Sequence, residues 1–406
     1  MAGFLHGIEH IDLLSDFGTV NPVRTAVIGL IGTADGTAET PIEHNKLYLC
    51  LSARDDAQFG RNGTIPEALR AIRMQQSRRG SAAVFVISVA ASNVVVTPAQ
   101  IIGEVTPTGT RTGLKLFETA KGKHGFKPMI YIAPRFSALA AVRNELQIIA
   151  NKNEAMSYID SPDGMTFQQA LAARGTTGDW SNLDEGIKAL FPHFLVANPD
   201  FIDEATTPTE QRFFNVPMSA FCAGLRARVD LEHGWHVSSS NNRIMGVEGL
   251  DVDLQFSLGD RNSETNLLNA AGITTAVNMF GNGIVEWGNY TAGFPGNPNV
   301  DAFEVVRRTR AIMKIAIEQA CIPFIDRPFN QANVDLIRNT VNQFLNQLVG
   351  QGKIVFGQCF FRRESNPAAQ LAKGHLTFDI EFTPSVPMQT LTFTYKIDLT
   401  QLENIA

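Results

Sequence analysis

The chain is 406 residues long, which fits two or three domains. Hydrophobic residues make up 44% and charged residues 18%, a composition that can bury a core and argues against disorder. With 34 Lys and Arg against 40 Asp and Glu, the net charge of −6 has the wrong sign for a protein that wraps nucleic acid.

No run approaches the ~18 consecutive apolar residues of a membrane-spanning helix, so no direct membrane insertion is expected. The opening MAGFLHGIEH lacks the basic and apolar regions of a signal peptide. Cys50, Cys222, Cys321 and Cys359 stand singly with no metal spacing, and read as buried free thiols of a reducing compartment.

Residues 1–20 read as an arm. Phe4, Leu5, Ile8, Ile11 and Leu13 alternate weakly among glycines, too irregularly for a self-standing helix. From Thr25 the texture changes to alternating strands and helices. Apolar runs predict strands at 25–32, 46–51, 82–90, 128–134, 156–159 and 193–198. Helices are expected at 64–79 with Thr64 as hydroxyl cap, at 114–120, after Ser137 as a cap, at 166–173 and at 217–230. This order predicts an α/β domain over 21–235, with a mostly parallel sheet covered on both faces.

Residues 236–300 are rich in Asn, Gly and Ser, with two short strand candidates, and two helices follow. The helix over 333–349 puts Val334, Ile337, Val341, Phe344, Leu345 and Leu348 on one face. Its other face carries Asp335, Arg338, Asn339, Asn342 and Asn346. A β-hairpin is expected from Ile354, Phe356 and Phe360, then Leu376, Phe378, Ile380 and Phe382. With the helices it makes an α+β domain over 236–387. Behind a proline-containing stop, Leu391, Phe393, Tyr395, Ile397 and Leu399 alternate without a break, which predicts a detached amphipathic strand over 388–406. Its apolar side must be covered, in this subunit or another.

Chemistry is sparse. GQGK at 350–353 lacks the context of a phosphate loop, and no histidine makes HExxH, so no cofactor and no metal site is expected. Ser219 opens a helix after a parallel-strand series, the layout of a subtilisin-type nucleophile, and Asp35 follows the first strand. No histidine stands where a general base belongs; His124 lies in a loop and His193 at a strand start. The hydroxyl of Ser219 is expected to cap its helix instead, so that its loss has no functional effect.

The order of several segments resembles the contractile tail sheath family. Arg111-Thr112-Gly113-Leu114 and 128–134 are similar to one family pattern, with Arg135 where glycine is usual. Pro217 to Gly224, Asp230, Gly234-Trp235, Ser238 to Asn241 and Ile244 to Val247 are similar to a second, with Ser239 replacing a proline. Leu267-Leu268-Asn269, Gly272-Ile273 and Trp287-Gly288-Asn289 resemble a third, with Tyr290 in place of Arg. Gln370 to Gly374 also matches.

The resemblance implies a structural subunit, not an enzyme. It implies a subtilisin-like fold, hexameric rings stacked in a helical sheath around an inner tail tube protein, and baseplate and tail terminator proteins as further partners. It implies arms at both ends donated to hairpins of neighbours, a helix facing the tube, and a virion tail or tailocin particle assembled in the bacterial cytoplasm. A subtilisin-like serine hydrolase, active or degenerate, is the competing reading, and a non-contracting tube or shell protein a third.

Overall fold

The computed structural model describes residues 23–198 and 212–400; Phe4, Leu5, Ile8, Ile11 and Leu13 of the expected N-terminal arm lie outside the described residues. The chain divides into two compact units, one formed by Ala26–Arg307 with the segment after Val386, the other by Arg308–Ser385.

In chain order the first unit begins with β1 (Val27–Thr33), β2 (Leu47–Cys50), α1 (Ala53–Asp56), α2 (Thr64–Met74), β3 (Ala83–Ala90) and α3 (Pro98–Ile102). It continues through α4 (Ala120–His124), β4 (Ile130–Ile132), α5 (Ala140–Lys152), β5 (Met156–Asp160), α6 (Phe167–Ala173) and β6 (Ile187–Leu190). It ends with β7 (Phe194–Ala197), β8 (Phe213–Val216), α7 (Met218–Glu232), β9 (Gly249–Leu250), α8 (Glu264–Ala270), β10 (Ile273–Asn278) and β11 (Ile284–Trp287).

Eight strands form one sheet in the order β11-β10-β6-β5-β4-β1-β3-β2. The six inner strands are parallel, and only the edges β2 and β11 run antiparallel. Alternation along each strand fills two cores. Ile28, Leu30, Val84, Val86, Ile130 and Ile132 face one side, covered by α2 and α7. Val27, Ile31, Phe85, Ile87, Tyr131 and Ile159 face the other, under α5, α6 and α8. Burial on both faces explains why these strands read as continuous apolar runs.

Several expectations are corrected. Residues 194–197 leave the parallel sheet and pair antiparallel with β8 and β9 in a small three-stranded sheet. The main sheet instead takes β6, β10 and β11, so the unit runs to Arg307 rather than ending at 235. β6 and the place of β10 and β11 in the main sheet were hidden because Lys188, Thr274, Thr275 and Glu286 interrupt the apolar pattern, although all four are fully buried. The helix expected over 64–79 stops at Met74, and its cap is Gly63; the Thr64 hydroxyl accepts from the Thr33 amide at 3.0 Å instead. Residues 113–119 form a 3-10 helix. Ser137 lies outside α5, whose N-cap is Leu139.

The second unit contains most of α9 (Glu304–Cys321), then α10 (Gln331–Gly350), β12 (Ile354–Phe360), α11 (Ala368–Leu371) and β13 (Asp379–Pro384). β12 and β13 pair as a two-stranded antiparallel sheet. Asn330 starts α10 by accepting from the Asn333 amide at 2.8 Å.

Gly224 sets the approach of α7 to α2. A Cβ built there would lie 2.9 Å from the Ile72 Cα and 3.0 Å from its carbonyl oxygen. A glycine inside a helix normally costs ~0.5–1 kcal/mol relative to alanine. Here the sign reverses, because the added methyl meets backbone that cannot turn away. Gly224→Ala is expected to destabilise by about 1–3 kcal/mol, read as a lower urea midpoint. A midpoint at or above the wild-type value contradicts this packing.

Candidate assembly surfaces

The hairpin packs on α10 through one face. A Cβ on Gly357 would stand 3.1 Å from the Leu345 Cβ, so the strand approaches the helix as closely as a glycine permits. Ile354, Gly357 and Cys359 are buried on this side. The register shifts between Ile354 and Phe356, which moves Phe356 and Phe360 to the opposite side. The expected alternation of Ile354, Phe356 and Phe360 on one face is therefore corrected: Val355 and Phe356 are exposed, and the Arg362 guanidinium lies 4.4 Å above the Phe360 ring. The second strand starts at Asp379, so Leu376 and Phe378 precede it; Ile380 and Phe382 sit within it, opposite Cys359 and Gly357.

Two asparagines hold the hairpin backbone. Asn342 on α10 accepts from the Cys359 amide at 2.7 Å and donates to the Cys359 carbonyl at 3.1 Å. Asn366, itself buried, treats Thr377 the same way, with 2.8 Å for both bonds. Asn342 was expected among the outward-facing residues of its helix; it turns instead onto β12. The remaining exposed face keeps Asn339 and Asn346, joined by Gln343 and Gln347. Arg338 and Asp335 form a half-exposed ion pair of 3.0 Å at its N-terminal end.

Residues 385–399 form no strand in their own chain. Leu391, Phe393, Tyr395, Ile397 and Leu399 all stand in water, each at least 66% exposed. Tyr290 is stacked between Phe294, at 3.9 Å, and Phe303, at 4.5 Å between ring centroids.

Trp287, Gly288 and Asn289 close β11. Gly288 has φ of 150°, and a Cβ there would meet the Asn269 Oδ1 at 2.6 Å. Its amide donates to the Ser240 hydroxyl at 3.0 Å, while Asn289 accepts from the Ser238 hydroxyl at 2.6 Å and its carbonyl accepts from the Glu304 amide at 3.0 Å. The motif thus ties the 238–240 turn to the start of α9. Beneath it lies an ionic cluster that sequence reading missed. The Lys188 ammonium, fully buried, contacts Glu286 at 2.5 Å and Glu304 at 2.7 Å, and Tyr158 donates to the same Glu304. Burial pulls the Lys188 pKa down, but the two carboxylates outweigh it and hold the ammonium above its ordinary range. A lysine inside an apolar strand was the available signal.

Ser219 is fully buried at the start of α7. Its hydroxyl donates to Asp160 at 2.6 Å and its amide to the same carboxylate at 2.8 Å. Ser137 adds a third donor at 3.1 Å. Asp160, not Ser219, therefore satisfies this helix terminus. His193 bonds elsewhere, its ring lying 2.9 Å from the Ser161 carbonyl and 2.9 Å from Asp163. Asp35 accepts from the Ser92 amide and hydroxyl. The serine is thus engaged by a carboxylate, and the hydroxyl-cap expectation is corrected.

A family profile described as the phage tail sheath protein central domain matches residues 109–292. The chain is 31% identical to the tail sheath protein of Burkholderia phage BcepMu, over 98% of this chain and 97% of that protein. It is 28% identical to the tail sheath protein of Escherichia phage P2, over 100% and 98% of the two chains. Among solved structures, the sheath complex of an extracellular contractile injection system in its contracted state superposes with a TM-score of 0.69 at 16% identity, covering 99% of each chain. The helical sheath of the anti-feeding prophage, also contracted, gives 0.69 at 16% identity over 98% and 100% of the two chains. The chain belongs to the phage tail sheath family, and is a structural subunit of a contractile tail or injection particle.

Removing the Ser219 hydroxyl takes one donor from a buried carboxylate. Burial already raises the Asp160 pKa against the pull of its donors. Its folded pKa thus lies above the unfolded one, so ionised Asp160 costs stability that is recovered as pH falls through the folded value. Ser219→Ala is expected to lower stability by about 1.5–3 kcal/mol at neutral pH, with a smaller deficit in acid. A urea midpoint equal to wild type at both pH values contradicts this.

Proposed function

We propose that the subunits build stacked hexameric rings around an inner tail tube, joined by strands that each subunit donates to its neighbours, and that contraction of this sheath drives the tube through a cell envelope. The observation that carries the reading is the unfinished segment 391–399. Five large apolar side chains alternate along it in water, and among the described residues it forms no strand and the hairpin sheet holds two strands.

The energetics favour a polymer over a dimer. Burying each side chain contributes ~1.5–3 kcal/mol, while ordering each residue costs ~1–2 kcal/mol. The two effects are of similar size, so one docked strand is weak. A closed ring makes each further docking intramolecular and raises its effective concentration. The N-terminal residues 1–20 act as a second donated arm, and 385–389, which follows β13 and carries Pro387, is a linker that lets bodies move while strands stay paired. Sheaths of the same fold in a contracted state support the contractile reading.

The amide face of α10, with Asn339, Gln343, Asn346 and Gln347, faces the tube; uncharged contacts slide without breaking strong ion pairs. The extended state is held kinetically by contacts between subunits. The first unit resembles a subtilisin-like core turned to a mechanical role. Baseplate and tail terminator proteins bound the sheath at its ends, and assembly takes place in the host bacterial cytoplasm.

Truncation after Pro387 is expected to leave the thermal midpoint within a few degrees of wild type and to abolish polymers in sedimentation and negative-stain microscopy. The double substitution Phe393→Asp and Ile397→Asp, which keeps the chain length, is expected to do the same. Striated cylinders formed by either variant contradict strand donation.

A further inference from the structure

The two edges of the hairpin are not equivalent. Cys359 stands opposite Ile380, and its amide and carbonyl are both taken by Asn342. Cys359 is therefore a position whose backbone groups point away from β13. By the alternation of an antiparallel pair, Gln358 and Phe360 turn theirs toward β13, and Glu381 and Asp379 answer them. The outward groups of β13 then belong to Ile380 and Phe382, and among the described residues no side chain bonds them. Asn366 serves Thr377, which has the same parity as Asp379 and so points to the β12 side. Pro384 has no amide to offer and ends the free edge.

We infer that Asn342 acts as a surrogate strand residue that closes β12, leaving β13 as the edge that receives residues 391–399 of a second copy of this chain. The inference rests on the strand-donation reading above and adds to it the edge and the residue that selects it. An incoming strand at β12 would have to expel the Asn342 amide from two hydrogen bonds at mid-strand. At β13 it meets donors and acceptors that no described side chain bonds, and Ile380 and Phe382 on one side match the apolar side of 391–399. The polar sides match too. Lys396 lies among Thr392, Thr394 and Asp398, and β13 presents Asp379 and Glu381. Glu381 also contacts Arg362 at 2.5 Å in an exposed pair that a bound lysine can share.

The test is amide hydrogen exchange of the full-length protein, free and polymerised, read by mass spectrometry with electron-transfer fragmentation. The Ile380 and Phe382 amides are expected to slow by about tenfold or more on polymerisation, while the Cys359 amide is already slow in the free subunit. In free Asn342→Ala the Cys359 amide is expected to speed up by about tenfold, with Ile380 and Phe382 unchanged. Slowing at Gly357 with Ile380 and Phe382 still fast overturns the choice of edge and leaves strand donation standing. Polymers in which neither edge slows overturn strand donation itself, and this inference with it. Unchanged Cys359 exchange in Asn342→Ala overturns the role of Asn342.

Discussion

Every strand edge presents backbone donors and acceptors that must be paired, and this constraint organises the protein. At β11 the edge is closed from within: the Asn241 amide bonds the Glu286 carbonyl at 2.7 Å, and the Ile244 amide bonds the Ile284 carbonyl at 2.8 Å. At β12 a side-chain amide performs the same task. Among the described residues, β13 keeps an edge that no side chain closes, and 391–399 has strand periodicity without forming a strand. In an isolated domain that combination is an aggregation hazard; in the proposed assembly it becomes a specific contact.

The proposed contraction requires a subunit that stays rigid while its contacts move. The buried Lys188 cluster joins β6, β11 and the first turn of α9. Such an ion group adds little net stability, because desolvation offsets much of the attraction. It is directional, however, and separating any partner strands a buried charge. The family motif at Trp287, Gly288 and Asn289 sits directly above it, with the Asn289 carbonyl holding the Glu304 amide. The motif reads best as a joint that fixes where α9 begins, not as a surface that binds a partner.

The parallel core was legible because strands buried on both faces leave uninterrupted apolar runs, as in β1 and β3. β6, and the place of β10 in that sheet, were not, since Lys188, Thr274 and Thr275 are polar by residue type yet buried. The domain boundary was misplaced for that reason. The apolar alternation of 391–399 was plain in the sequence because it is a local pattern. The role of Asn342 was not: an amide on a helix reads as solvent-facing until a neighbouring strand supplies its partners. The register shift after Ile354 is equally invisible, and it reverses the side on which Phe356 lies. Ser219 was located correctly at a helix start, but the carboxylate that holds it comes from Asp160, 59 positions away.

A reconstruction of the assembled particle at side-chain resolution tests the central claim most directly. The account predicts continuous density from residues 384–390 of one subunit into a strand lying along the hairpin of its neighbour, with Phe393, Tyr395 and Ile397 buried at that contact. Density that returns 391–399 to its own subunit, or leaves it in solvent while the rings hold together, would contradict it.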